Sequence, residues 1–165
     1  MSGRPDSDES ALAVSASLLI DDQLCFALHA ASRAVTAAYR SLLEPLGLTY
    51  PQYLVMLVLW QRGPVSIKEV AAALHLDYGT LTPLLKRLEA LGRLERRRRT
   101  DDERAVQLSL TAAGEALRER AAAVPVGVSH ALGLTVAETR QLDRLLGRVR
   151  DNASAYAAEH AHPPS

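Results

Sequence analysis

SIKEVAAALHLDYGTLTPLLKRLEALGRLERRRRTDDERAVQLSL, residues 66 to 110, decides the fold. Ser66-Ile67-Lys68-Glu69 has the S-x-x-E form of a capping box and opens a short helix to Leu74. Asp77 is the N-cap of a second helix, in which Leu81, Leu84, Leu85, Leu88 and Leu91 make one apolar stripe at i, i+3, i+4, i+7 and i+10. At about 100° per residue, Gly79, Pro83, Lys86 and Ala90 face away from that stripe, flanked by Thr82 and Arg87. Gly92 ends the helix. The period then changes. Val106, Leu108 and Leu110 alternate with Gln107 and Ser109 as a half-buried strand, and Arg93 to Arg99 pairs with it as the other arm of a hairpin with Thr100 to Glu103 at its tip. Short helix, turn, amphipathic helix and basic hairpin, in that order, predict a winged helix-turn-helix.

Upstream, residues 1 to 17 read as a flexible arm. From Leu18 to Leu43 the positions Leu24, Leu28, Ala31, Val35, Ala38 and Leu42 recur in steps of four and three, which predicts a long helix packed along another helix. Pro45, Gly47 and Pro51 punctuate the chain before a very apolar, buried helix from about Pro51 to Arg62. Downstream, Thr111 caps a helix expected to run to a break at Pro125. Thr135-Val136-Ala137-Glu138 is a second capping box, and the helix it opens carries Leu142, Leu145, Leu146, Val149, Ala153 and Tyr156 as one stripe. The expected organisation is a flexible arm over 1–17, a dimerisation helix and connection over 18–50, the winged helix-turn-helix over 51–110, dimerisation helices over 111–158 and a tail over 159–165. The fold class is mainly α with a small β wing.

Composition agrees. Of 165 residues, 48% are hydrophobic but only 4% aromatic, so the core is built from Ala, Leu and Val, which favours helices over a sandwich or barrel. Lys and Arg number 19, as do Asp and Glu, which excludes a uniformly basic coat but not a local patch. From Lys86 to Arg104 eight bases meet five acids, whereas the first 22 residues hold one base and five acids. Neutrality thus conceals a basic module and an acidic arm. The longest apolar run, Tyr53 to Trp60, is far short of the roughly 18 residues of a membrane span. With Arg4 as its only base, the start does not have the form of a signal peptide. One cysteine excludes an intrachain disulfide and any cysteine-cluster zinc site, and with it the expected compartment is cytoplasmic.

A helix that buries leucines and shows hydroxyls and cations suits the major groove, and a hairpin arginine suits the backbone or the minor groove. Taken alone, Arg96 to Arg99 reads equally well as a solvated strand. Combined with the helix-turn-helix, it points to DNA.

The string Leu76-Asp77-Tyr78-Gly79-Thr80-Leu81-Thr82-Pro83-Leu84-Leu85-Lys86-Arg87-Leu88-Glu89, with Asp101-Asp102-Glu103-Arg104, resembles the MarR family of dimeric winged-helix regulators. Asp22-Gln23-Leu24-Cys25-Phe26-Ala27-Leu28 and Leu48-Thr49-Tyr50-Pro51-Gln52-Tyr53-Leu54 are similar to the OhrR-type organic hydroperoxide sensors within it. The resemblance is continuous from about Asp21 to Leu110. It implies a homodimer with two reading helices in successive major grooves of a near-palindromic double-stranded operator. It also implies DNA contacts from Tyr78, Thr80, Thr82, Pro83, Lys86 and Arg87, with Arg104 as the wing arginine for the minor groove and Asp102 as its orienting partner.

A lone Cys in an apolar helix is most often a small buried hydrophobe. The resemblance instead implies that Cys25 is a peroxidatic thiol, hydrogen-bonded by the hydroxyls of Tyr39 and Tyr50. Geometry adds a constraint. Cys25 and Tyr39 are fourteen residues apart on one predicted helix, about 21 Å along its axis, yet on nearly the same face. A contact between them must therefore cross to a partner chain. Ordinary interface packing is the other reading of both tyrosines. His29, one turn after Cys25, stands where relatives carry Tyr; it is a thiolate partner when protonated or simply a polar interface residue.

With no second cysteine, oxidation is expected to proceed from sulfenic acid to a mixed disulfide with a small-molecule thiol, or to over-oxidation. The function expected is a DNA-binding repressor that senses organic hydroperoxides through Cys25 and then releases its operator. The alternative is a MarR-type regulator released by a small non-oxidising ligand, with Cys25 structural. No phosphate loop, H-E-x-x-H or G-x-S-x-G motif is present, so neither an enzyme nor a metal or other cofactor is expected, and Glu159, His160 and His162 read as a solvated tail. A pure protein-interaction module would leave the outward Thr, Lys and Arg set unexplained.

Overall fold

The fold was analysed in a computed structural model, which describes residues 17–98 and 106–160. After a 3-10 turn at Ile20–Asp22 come α1 (Leu24–Leu43), a second 3-10 turn (Glu44–Leu46), α2 (Tyr50–Arg62), β1 (Val65–Ser66), α3 (Ile67–Leu74) and α4 (Tyr78–Ala90). They are followed by β2 (Leu94–Arg98), β3 (Val106–Leu110), α5 (Ala112–Ala121), α6 (Val124–Leu132) and α7 (Val136–Glu159). The chain forms two compact units, one ending at Val128 and the other beginning at Ser129. No single helix among the described residues is long and apolar enough to cross a membrane.

The winged helix-turn-helix is present as expected. At the start of α3, Ser66 Oγ accepts the Glu69 N–H at 3.2 Å and Glu69 Oε2 accepts the Ser66 N–H at 2.7 Å, closing the capping box. His75 ends that helix in the left-handed region, at φ 52°. In α4 the leucine stripe packs inward through Leu81, Leu85 and Leu88, all fully buried. Leu84 is only half-buried and Leu91, just past the helix end, is exposed, so the stripe is narrower than its spacing suggests. The core behind it is Val55, Met56 and Leu59 of α2, Val70 of α3, and Leu94 and Leu108 of the sheet.

The sheet has three antiparallel strands in the order β1-β3-β2. The hairpin was legible, but the third strand was not. β1 is two residues long and pairs Val65 with Leu108 and Ser66 with Gln107, too short to show a period of two. The register of the hairpin sets Leu94 against Leu110 and Arg96 against Leu108.

Two helix limits differ from expectation. The first long helix begins at Leu24 rather than Leu18, because Gln23 is extended and the turn before it is held locally. Ser17 Oγ donates to Asp22 Oδ2 at 2.6 Å, and Gln23 Nε2 donates to the Ser17 carbonyl. Pro125 does not break the helix opened by Thr111. That helix ends at Ala121, and Pro125 instead sits in the first turn of a separate helix, α6, where its missing N–H has no intrahelical partner to lose. In α6, Gly127 lies against Leu42 of α1; a Cβ there would come within 2.7 Å of Leu42 Cδ2.

Of the long α1 helix only Leu43 is buried. Leu24 and Phe26 are exposed. In the second unit, Thr135 caps α7 by accepting the Glu138 N–H, while Glu138 Oε2 accepts the Thr135 N–H at 2.8 Å. The stripe residues Leu142, Leu145, Leu146, Val149 and Tyr156 of α7 are all exposed.

Candidate functional site

The side of α4 not covered by its core carries the residues expected to read DNA. Tyr78, Thr80, Pro83, Lys86 and Arg87 are exposed and Thr82 is half-buried. Asp77 anchors this face. Its Oδ1 accepts the Thr80 N–H and its Oδ2 the Thr80 hydroxyl, both at 2.8 Å. These two bonds, the backbone one foremost, hold the Asp77 carboxyl below its ordinary range. They also commit the Thr80 proton, leaving its oxygen as an acceptor. Pro83 lies inside the helix, so the Gly79 carbonyl four residues earlier gains no bond from it. That carbonyl and the pyrrolidine ring therefore belong to the same outward face.

The wing rises from a fixed root. The Thr111 hydroxyl donates to the Gly92 carbonyl at 2.6 Å, and the Thr111 N–H donates to the Arg93 carbonyl at 3.2 Å. Gly114, in the first turn of α5, is buried against Arg93, where any Cβ would overlap the Arg93 carbonyl oxygen. Of the arginine run, Arg96 pairs with Glu89 of α4 at 3.2 Å and Arg97 with Glu95 at 2.7 Å. The run is thus partly matched by acids of the same module, which its composition concealed. Arg99, Asp102 and Arg104 lie outside the described residues, as does the hairpin tip.

Cys25 is a free thiol, the second residue of α1, and it is exposed rather than buried as core. His29, one turn further, is also exposed. Tyr39 and Tyr50 come together near the other end of α1, with ring centroids 4.2 Å apart and planes at 30°. The stack continues through Tyr53, whose ring lies 6.0 Å from Tyr39, to Trp60 at 6.2 Å, and Trp60 Nε1 donates to the Gly114 carbonyl at 3.1 Å. Burial, reinforced by the neighbouring phenols, pushes the Tyr39 and Tyr53 hydroxyls above their ordinary value. Both remain protonated hydrogen-bond donors at neutral pH.

The local cause of this arrangement is the turn into α2. The buried Gln52 side chain accepts the Thr49 N–H at 2.8 Å, which fixes Tyr50 as the first residue of that helix and aims it at α1. Beside Tyr50 lies a cavity of about 490 Å³ lined by Thr36, Arg40, Glu44, Leu48 and Pro51. The structure therefore brings Tyr39 and Tyr50 together. It leaves Cys25 about 21 Å away along a continuous helix. Sequence reasoning missed the aromatic chain to Trp60. The only signal for it was the recurrence of aromatics at 50, 53 and 60 on one helix.

A buried helix, an exposed reading helix packed on it and a wing define a DNA-binding transcriptional regulator of the winged-helix MarR type. The SarA/Rot transcriptional regulator family matches residues 37–120, and the chain belongs to that family. It is 48% identical to the HTH-type transcriptional regulator TtmR of Methylorubrum extorquens over 144 residues, covering 87% of this chain and 74% of the relative. It is 44% identical to the organic hydroperoxide resistance transcriptional regulator of Bacillus subtilis over 126 residues, 76% of this chain and 84% of the relative. Its fold matches the structure of reduced AbfR bound to DNA, a Staphylococcus epidermidis protein, with a TM-score of 0.68 and 33% identity over 88% of this chain and 96% of the other. The relatives are transcriptional regulators rather than enzymes.

Proposed function

We propose that this regulator is a homodimeric repressor that senses organic hydroperoxides through Cys25 and then releases a near-palindromic operator. The observation that carries the reading is the exposure of Cys25 on a helix whose apolar face is uncovered in the single chain. A thiol kept only for packing would be expected inside. The segments 18–50 and 111–158 are the dimerisation elements. An antiparallel partner helix brings the partner's thiol to the Tyr39–Tyr50 pair, whose hydroxyls donate hydrogen bonds that stabilise a thiolate. The name of the Bacillus subtilis relative supports the same effector.

The chemistry is stoichiometric. The thiolate sulfur attacks one peroxide oxygen, the O–O bond breaks, and the alkoxide takes a proton and leaves as alcohol, with Cys25 as sulfenic acid. A small-molecule thiol then condenses with it, releasing water and leaving a mixed disulfide. The added bulk in the helix interface changes the separation of the two reading helices. On the DNA side the reading places Tyr78, Thr80, Thr82, Pro83, Lys86 and Arg87 of α4 at the operator, with Asp102 and Arg104 serving the wing. The module acts without a cofactor.

The test is fluorescence anisotropy on a duplex selected by the wild-type protein from a random-sequence library, first in reductant, then with an organic hydroperoxide, then with hydrogen peroxide. Wild type should release the duplex, most readily with the organic peroxide, while Cys25→Ser stays bound. Release of Cys25→Ser by peroxide would sink the proposal. A second reading, release by a small non-oxidising ligand, is favoured by the cavity beside Tyr50, where Arg40 offers a cation to an acidic aromatic. Release under reductant by such a compound would select it.

A further inference from the structure

The arginines of the wing do not act alike. Alternation along β2 puts Leu94 and Arg96 on one face and Glu95 and Arg97 on the other. Leu94 is buried, and Arg96 stands opposite the fully buried Leu108. The Arg96 side chain therefore lies on the core side of the sheet and is only 26% exposed. Among the described residues its Nε and Nη2 are shut off from solvent without a hydrogen-bond partner, and its ion-pair partner there is Glu89, with Oε2 3.2 Å from Nε. The contact is ionic by distance without the alignment of a hydrogen bond. A guanidinium held in this way is not offered to DNA. Arg97, on the opposite face, is 68% exposed, and its pair with Glu95 at 2.7 Å is open to solvent, weak enough for a phosphate to replace.

Glu89 is oddly placed unless it serves this pair. It sits in the last turn of α4, where a carboxylate faces the negative end of the helix dipole. Arg96 offsets that repulsion and ties the end of the reading helix to the middle of the wing strand. The root of the same strand is already fixed by Thr111 and Gly114. A ribbon held only at its root pivots. A second anchor about three residues, or roughly 10 Å, further along fixes its direction.

We infer that Glu89 and Arg96 are positioning residues for DNA recognition: their ion pair sets the angle between the wing and the reading helix, and Arg97, on the other face of the strand, is the cation presented to the phosphate backbone. The inference rests on DNA binding by the winged helix and not on the redox reading, so a protein that ignores peroxide leaves it intact.

The experiment measures binding of the full-length protein, in reductant, to the library-selected duplex and to a random-sequence duplex across a salt series. Glu89→Gln and Arg96→Met should each weaken the selected duplex by about three- to tenfold, with the slope of log affinity against log salt unchanged. The double variant should bind no more weakly than the weaker single variant, and the exchange Glu89→Arg with Arg96→Glu should recover about half or more of the lost affinity. Arg97→Met should instead flatten the salt slope by about one. Where circular dichroism shows that Arg96→Met fails to fold, Glu89→Gln and Arg96→Lys decide the matter, since Glu89 is exposed and Lys keeps the charge. The inference is overturned if Arg96→Met flattens the salt slope, if Glu89→Gln tightens binding as removal of a mere competitor would, or if the two losses simply add. A wild-type protein that selects no duplex would overturn the DNA reading along with it.

Discussion

Tyr39 stacks on Tyr50 with ring centroids 4.2 Å apart, joining the far half of α1 to the first turn of α2. Both helices belong to the unit that carries the reading helix, and the aromatic chain continues through Tyr53 and Trp60 to the carbonyl of Gly114, beside the root of the wing. The proposed sensor and the DNA-binding elements are thus connected by packed rings and one hydrogen bond. A disturbance at the Tyr39–Tyr50 pair has a short physical route to the wing.

The hydroxyls and the rings of that pair are separable. Tyr39→Phe and Tyr50→Phe keep the stack and remove only the donors. Each variant should bind DNA like wild type in reductant, yet release it on the order of tenfold more slowly with an organic hydroperoxide, because a hydrogen bond to a thiolate is among the stronger kinds. Stopped-flow anisotropy checks this. Unchanged release rates in both variants would return the tyrosines to a packing role.

Gly114 is a second junction with no slack. Its carbonyl accepts from Trp60 Nε1, and a Cβ would overlap the Arg93 backbone while also meeting Leu110 Cδ2 at 3.2 Å. The obstructing atom is backbone and cannot rotate away. Gly114→Ala should therefore cost on the order of 3 kcal/mol of stability by overpacking. Urea unfolding of the reduced protein measures it, and a loss close to zero would show that the wing root shifts freely.

Much of this was legible in the sequence, for identifiable reasons. Ser66, Asp77, Thr111 and Thr135 cap helices as their spacing predicted, because a cap is a local device of three or four residues. The inward turn of Leu81, Leu85 and Leu88 followed from periodicity alone. Features that depend on register or distant contacts were not legible. Whether Arg96 points to the core or to solvent depends on which residue of β3 it opposes, and β1 is visible only once Leu108 has a second neighbour. Pro125 reads as a break when it is in fact a beginning, since proline suits either and only the partner at the preceding turn decides. For the thiol, the sequence supplied Cys25, Tyr39 and Tyr50, and the structure adds the stacking of the two tyrosines; the proposed contact with the thiol calls for a second chain.

The cap of the reading helix should make its stability sensitive to acid. The Asp77 carboxyl is held below its ordinary value of 3.8 by the Thr80 backbone and hydroxyl. A depressed folded value means that the stabilisation is fully present above the unfolded value and is lost as pH falls through the folded one. Asn caps a helix about as well but carries no charge. Wild type should therefore melt above Asp77→Asn near neutrality, with the difference shrinking as the pH drops below 3.8. Thermal unfolding of both proteins across the acid range checks the sign, and a gap that widens with acid would contradict it.

The proposed dimer makes its own prediction in α7. Leu142, Leu145, Leu146 and Val149 follow one another at i, i+3, i+4 and i+7, and each remains about two-fifths exposed or more. A continuous apolar stripe of this kind marks an association surface rather than a solvated helix. Leu24 and Phe26, the sequence neighbours of Cys25 in α1, are exposed as well. Leu145→Glu places a charge in the middle of the α7 stripe without touching any residue assigned to DNA or to the thiol. Sedimentation should show the variant shifted to monomer. Affinity for a two-half-site duplex should fall by about a hundredfold, because the second half-site is no longer tethered to the first. Binding to a single half-site duplex should be unchanged. A variant that still sediments as a dimer would remove this stripe from the interface. One that becomes monomeric yet keeps full affinity for the two-half-site duplex would show that each winged helix binds alone, and the proposed link between thiol oxidation and operator release through the spacing of two reading helices would fail with it.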